Sequence, residues 1–305
     1  MKKILACIAM VIATVIWGTA FSAQSEGAGH VGALLFVALR SFVGAAALSF
    51  VILLSDLARR KRFSLWGDAV EPQAKKDLLC GGLFCGIAIT AASSFQQLGI
   101  RYVSAGKTGF LTALYILIVP LLGLFLRKKT PKTFYAASCT ALLGTYLLCG
   151  GVDSFGKGEF FVLLCAFLFA GHIMVIDHYA ARCDCLRLSC VQFFVAAILS
   201  LCASPLFGEK WLLSGIRGAL PYWLFCGVGS SAIAFTLHIV AQKYLHPVLA
   251  SLLMSLESVF AVAGGYLFLH EQLSGRELAG CVIILLSIVF AQIPWKGRKV
   301  EKSQA

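Results

Sequence analysis

Ten long apolar runs divide this chain, at roughly 4–22, 31–54, 78–99, 103–126, 133–150, 159–177, 187–206, 220–240, 247–269 and 277–294, with the charged residues bunched between them. Each run approaches the ~20 residues that an α-helix needs to cross ~30 Å of hydrocarbon. Hydrocarbon offers no partner to a free N–H or C=O, so a spanning segment must bond its own backbone, as a helix does. A transmembrane barrel would need alternating segments of ~10 residues, and the sequence holds none. Composition agrees. The chain is 59% hydrophobic and 13% charged, with a mean hydropathy of +0.87, where a soluble domain is about 45–50% apolar and ~25% charged. The expected fold class is an all-α polytopic membrane protein with ten transmembrane helices.

Lys2 and Lys3 ahead of Ile4 to Trp17 also resemble a secretory signal peptide, with Ala20-Phe21-Ser22 as its cleavage site. Removal would leave nine helices and an unpaired second half, so the first run is kept as helix one. With the N-terminus inside, 19 of the 26 Lys and Arg residues fall in inner segments and 5 in outer ones, while Arg40 and Lys107 lie within spans. That bias sets both termini in the cytoplasm and the protein in the cell (plasma or inner) membrane as a multi-pass chain. The net charge of +12 is then a topology signal. Nucleic acid is not an expected partner, since no basic stripe carries interleaved aromatics for bases to stack on.

The stretch from Tyr102 to Lys129 recurs from Tyr244. A shift of 142 positions pairs Tyr102 with Tyr244, Leu111 with Leu253, Leu114 with Leu256 and Gly123 with Gly265. Five helices per half is an odd number, so the second copy inserts upside down. Inverted repeats of this kind place a substrate site near the midplane and suit alternating access. The expected units are 1–150 and 157–296, each a five-helix repeat, with a basic cytoplasmic tail at 297–305. Gly150 to Gly156 forms a short Gly-rich junction, and Ser55 to Asp77 is the longest loop, a solvated cytoplasmic connector.

Polar groups inside the runs are the candidate site. An ionisable residue in hydrocarbon is a functional-site hypothesis by default, and Glu257 lies near the middle of run nine. A buried carboxyl there can accept a proton in one access state and release it in the other, or it can simply bond a neighbouring helix. Arg40 can grip a substrate carboxylate, pair with Glu257 or bond backbone carbonyls. Lys107, one turn into run four, can snorkel to the headgroups or face the cavity mouth. His238, Gln242 and His246 follow at i, i+4 and i+8, which puts them on one helical stripe as interhelical bonds or a proton relay. Gln192, Gln96 and Gln97 are amides that serve helix contacts or substrate equally. Trp17 and Tyr115 can wall a pocket for an organic solute. Pro120, well inside a span, should kink helix four and so could serve as a gate. Ala261, Gly264 and Gly265 allow close helix approach.

Twelve cysteines sit mostly singly in apolar runs, where Cys behaves as a small hydrophobe. Cys183, Cys185 and Cys190 cluster at an inner loop, but Cys-x-Cys-x₄-Cys lacks the usual Cys-x₂-Cys metal spacing. Neither a metal nor a cofactor is expected.

Several short motifs, in order, carry a resemblance. Trp17-Gly18-Thr19-Ala20-Phe21 is similar to a WG-x-x-F opening, and Leu39-Arg40-Ser41-Phe42 to an R-F element. Gly109 to Tyr115 and Val119 to Gly123 resemble GFLT-x-LY…VPLLG. Leu256-Glu257-Ser258-Val259-Phe260-Ala261 resembles LEPVFA, and Glu271 an L-x-E ending. Together they resemble EamA-type transporters of the drug/metabolite transporter superfamily. Ser258 departs from the common Pro, His238 from a frequent Gln, and Lys129 stands opposite Glu271. The resemblance implies a carrier that moves small metabolites, amino acids or toxic organics, usually outward. The expected partners are a small-molecule substrate and the lipid bilayer, with a homodimer as an option.

A membrane-embedded enzyme is the rival class, and a non-transporting sensor or scaffold the third. No paired intramembrane aspartates, no His-Glu-x-x-His helix and no nucleotide-binding Gly-rich loop support an enzyme.

Overall fold

A computed structural model describes residues 1–61, 63–67, 71–103, 105–127, 131–148, 156–269 and 274–292. Glu271, Lys129, Cys149 and the residues of the junction before Gly156 lie outside the described residues, as does the tail at 297–305. The described residues are helical and include no strand. In order they form α1 Lys2–Ala28, α2 Ala33–Arg60, α3 Pro72–Gly99, α4 Ala105–Thr112, α5 Tyr115–Phe125, α6 Lys132–Leu148 and α7 Lys157–Tyr179. Then follow α8 Cys185–Leu206, α9 Leu213–Gly218, α10 Leu220–Phe225, a π-helical segment Cys226–Ala234, α11 Phe235–Gln242, α12 Pro247–Met254, α13 Leu256–Leu269 and α14 Gly275–Gln292.

Among the described residues, seven helical stretches are long and apolar enough to cross a membrane: α1, α2, α3, Lys107–Phe125, α7, α8 and Leu220–Gln242. Shorter apolar helices follow at Pro247–Ala261 and Leu278–Ala291. Several hydroxyls in these apolar helices bond their own helix, where hydrocarbon offers no other partner. Thr14 donates to Val11 O at 2.7 Å, Ser49 to Ala45 O at 2.8 Å and Ser251 to Val248 O at 2.9 Å.

Three elements differ from a simple reading of apolar runs. Run four is broken at Ala113–Leu114, seven residues ahead of the proline that was expected to bend it. Run nine breaks in the same way at Ser255, between α12 and α13. Position 262, the counterpart of Pro120 under the 142-residue shift, is Val262. The break therefore forms without proline, and Pro120 sits buried inside an intact α5. In run eight, Gly227, Gly229, Ser230 and Ser231 fall in the π-helical segment, a wider turn of the kind often found at functional sites. The helix after it ends at Gln242, so His246 leaves the expected stripe and instead caps α12, accepting from Val248 N at 3.3 Å.

The core is built by a few extended helix–helix contacts. α3 packs on α7 and α8, α2 on α8 and the π-helical segment, and α6 on α14. α1 runs against α13, the π-helical segment and α11. Small residues set the closest crossings. A Cβ on Gly18 would stand 2.8 Å from the Glu257 carbonyl oxygen, and one on Gly227 would stand 2.9 Å from the Arg40 carbonyl oxygen. These two glycines draw α1 to α13, and the π-helical segment to α2.

Acidic side chains tie α2 and α8 at both ends. Glu209, just past α8, accepts from Leu34 N at 3.0 Å and Leu35 N at 2.8 Å, supplying a negative charge to the exposed amides that open α2. Near the end of α2, Asp56 accepts Arg187 from the first turn of α8 at 2.6 Å, and Asp184 takes the same guanidinium at 3.1 Å.

Candidate functional site

A cavity opens between α1, α2, α3, α7, the π-helical segment, α11 and the two broken helices. Each break is flanked by cavity residues: Thr112 and Tyr115 at the first, Met254 and Glu257 at the second. A helix interruption frees backbone groups and redirects side chains, and it is tolerated at membrane depth only where protein or a cavity receives it. Gln24, Arg40, Gln96 and Ser230 add polar groups, while Trp17, Phe21, Phe169 and Phe235 supply the apolar wall. The mixture suits an organic solute: mostly apolar, with a few fixed polar groups.

Glu257 is 5% exposed and accepts a 2.8 Å hydrogen bond from the Tyr115 hydroxyl, itself 1% exposed. The two residues are 142 positions apart, the same shift that aligned Leu111 with Leu253. Counterpart positions of the two halves therefore touch. Two copies related by a twofold axis bring counterparts together only near that axis, so this contact sits where such an axis would pass.

Arg40 is 2% exposed. Its guanidinium donates to Gln24 Oε1 at 3.0 Å and to Ser93 Oγ at 3.4 Å, and its Nε has no partner. It makes no pair with Glu257, one of the options the sequence left open. Gln96 donates to Thr112 Oγ1 at 3.3 Å and Gln97 to the Gln24 carbonyl at 2.9 Å, which fixes α3 against α1.

Other candidates lie elsewhere. Lys107 is not among the residues that line the cavity; it forms a 3.0 Å ion pair with Glu159 in the first turn of α7. Gln192 bonds His172 Nε2 at 3.1 Å and Gln242 donates to the Ile173 carbonyl, so both amides tie helices together. His238 stacks edge-on with Trp17 at 5.6 Å and lies 6.2 Å from His172, and neither of its ring nitrogens makes a hydrogen bond. Phe235 completes this layer of rings, 4.8 Å from Trp17 and 5.5 Å from Phe193. His172 and His238 each follow a cavity residue, Phe169 or Phe235, by three positions toward the end of the bundle where α1 begins. The layer floors the cavity on that side.

Outside the spans, burial together with Cys185, Asp184 and Asp77 pushes the Cys183 thiol up to about 12, which leaves it protonated and a poor metal ligand. Among the described residues no group of three or more His, Cys, Asp or Glu is placed to hold a metal ion.

Sequence reasoning missed Phe21, Gln24, Thr112, Phe169, Ser230, Phe235 and Met254. Thr112 and Met254 were recoverable from the 142-residue shift, which maps one onto the other. The apolar members had no signal, because a ring facing a cavity and a ring facing lipid read alike.

The sequence profile of the EamA-like transporter family matches the chain twice, over residues 4–150 and 156–292. An uncharacterized transporter of Archaeoglobus fulgidus is 24% identical over 293 residues, covering 96% of this chain and 87% of its own. The uncharacterized transporter YoaV of Bacillus subtilis is 22% identical over 303 residues, 96% of this chain and 98% of its own. A protein of known crystal structure superposes with a TM-score of 0.74 at 19% identity, over 94% of this chain and 97% of its own. That likeness speaks for the fold alone. With both halves matched and a helical bundle around one polar-lined cavity, this chain is a multi-pass membrane protein that belongs to the EamA-like transporter family.

Proposed function

We propose that the protein exports small organic molecules by alternating access through this cavity, with ten membrane-crossing helices arranged as two inverted five-helix repeats, 1–150 and 157–296. The Tyr115–Glu257 contact between counterpart positions carries the reading. Packing supports it. The two profile matches stand 152 residues apart at their starts, 4 and 156, and 142 apart at their ends, 150 and 292. At the first spacing Trp17 maps onto Phe169, both in the cavity wall, and Arg40 onto Gln192. Helix contacts exchange under the same mapping. α3 on α7 matches the π-helical segment and α11 on α1, while α2–α8 and α6–α14 map onto themselves.

In this reading both termini face the cytoplasm of a cell-membrane protein, and the layer of Trp17, His172, Phe193, Phe235 and His238 is the closed cytoplasmic gate. Glu257 is the coupling group. Its carboxyl takes up a proton when the cavity faces one side and releases it on the other. Tyr115 holds the carboxyl at the axis, where both access states share it. A membrane potential contributes ~2.3 kcal/mol per charge per 100 mV to such a step.

The test is transport in proteoliposomes with a panel of radiolabelled amino acids, organic acids and organic cations. Wild-type protein is expected to accumulate at least one of them against its gradient when a pH gradient is imposed. Glu257→Gln should keep exchange of that solute and lose accumulation. Normal pH-driven accumulation by Glu257→Gln would remove the coupling role, and no movement of any solute by the wild type would remove the carrier reading itself.

A further inference from the structure

Within the bundle, the cations Lys107 and Arg187 each hold a carboxylate, Glu159 in one case and Asp56 in the other. Arg40, 2% exposed, holds only a glutamine and a serine among the described residues, with Nε free. Glu257, the carboxylate lining the same cavity, is engaged by Tyr115 and forms no ion pair with Arg40. A guanidinium cannot shed its charge in a protein, and a buried charge is ordinarily paired. The fold does not demand a cation at this place either. On the repeat reading proposed above, on which this inference rests, the counterpart position carries neutral Gln192, whose Oε1 bonds His172. Arg40 is thus a standing positive charge in a cavity wall, and among the described residues no carboxylate pairs with it.

We propose that Arg40 is the anion anchor of the cavity and that the transported molecule carries a carboxylate on a compact apolar body. One uncompensated charge matches one carboxylate, whereas a phosphate would bring up to two. The planar guanidinium fork fits a carboxylate through two parallel hydrogen bonds, and the group's remaining donors are those not spent on Gln24 and Ser93. The apolar body lies against Trp17, Phe21, Phe169, Phe235 and Met254. On the side that bears Glu257, Tyr115 holds Oε1, so a second polar group of the ligand would meet Oε2.

Four probes of one shape decide the matter: phenylacetate, phenylalanine, phenethylamine and 2-phenylethanol. They are titrated calorimetrically into the full-length protein in lipid nanodiscs. The two acids should bind about tenfold or more tightly than the amine and the alcohol. Arg40→Gln should bring the acids to the level of the alcohol, and Arg40→Lys, which keeps the charge and loses the fork, should fall between. Phenylacetate binding as well as phenylalanine marks a simple monocarboxylate site. Tighter phenylalanine binding that Glu257→Gln abolishes adds an amine contact, and both orders support the anchor. If Arg40→Gln fails to fold, Arg40→Lys and the wild-type ranking still decide. Amine or alcohol binding as tightly as the acids, unchanged acid binding in either variant, or no binding by any probe overturns the proposal. The carrier reading stands or falls separately, on gradient-driven transport of the wider panel.

Discussion

Glu257 and Tyr115 are each other's only described side-chain partners in the cavity, so their bond behaves as a unit. A buried acceptor stripped of its donor costs ~1–3 kcal/mol, whereas replacing both partners with apolar groups can be nearly neutral. Tyr115→Phe should therefore lower thermal stability in detergent by that amount. Adding Glu257→Met should restore most of it. Equal stability of Tyr115→Phe and wild type would mean the bond constrains little. Residues of this kind were conspicuous in the sequence because a charge or a phenol in hydrocarbon demands a reason. What the sequence withheld was the partner. Arg40 and Gln192 look equally out of place in their spans, yet one faces the cavity and the other closes on His172. Choosing between them takes the neighbouring helices, which no single span encodes.

Among the elements, the two helix breaks matter most, and they were the least legible. An unbroken apolar run such as 247–269 gives no sign of a turn at Ser255, and the proline at 120 drew attention to the wrong residue. Because Val262 stands where the second half would need its proline, Pro120→Ala should leave the break at 113–114 in place and transport at the wild-type rate. A measured loss of transport without loss of folding would return Pro120 to the mechanism. Helix crossings give a second expectation. Gly18→Ala places a methyl 2.8 Å from the Glu257 carbonyl oxygen, and forcing α1 from α13 should cost ~1–3 kcal/mol. The tie between α2 and α8 gives a third. Arg187→Met leaves the Asp56 carboxylate buried without its guanidinium, a loss of ~3–5 kcal/mol. Asp56→Leu added to it should recover part of that. Thermal unfolding of the three variants checks both statements.

For the molecule as a whole, the apolar runs were enough to specify a helical membrane bundle, since hydrocarbon permits few alternatives. Duplication was legible only where the spacing happened to be 142, at the helices on either side of Tyr115 and Glu257. Unequal loops stretch it to 152 at the front of each half, so one sliding comparison could not align Trp17 with Phe169. On the proposed reading, a shared axis of the halves would make a single cavity reachable from either side in turn, and it is the claim on which export, coupling and the anchor depend. An experimental structure in lipid nanodiscs tests it most directly. The account predicts a pseudo-twofold axis in the membrane plane that relates 4–150 to 156–292 and passes between Tyr115 and Glu257. Halves related by an axis along the membrane normal, or Glu257 facing lipid, would contradict it.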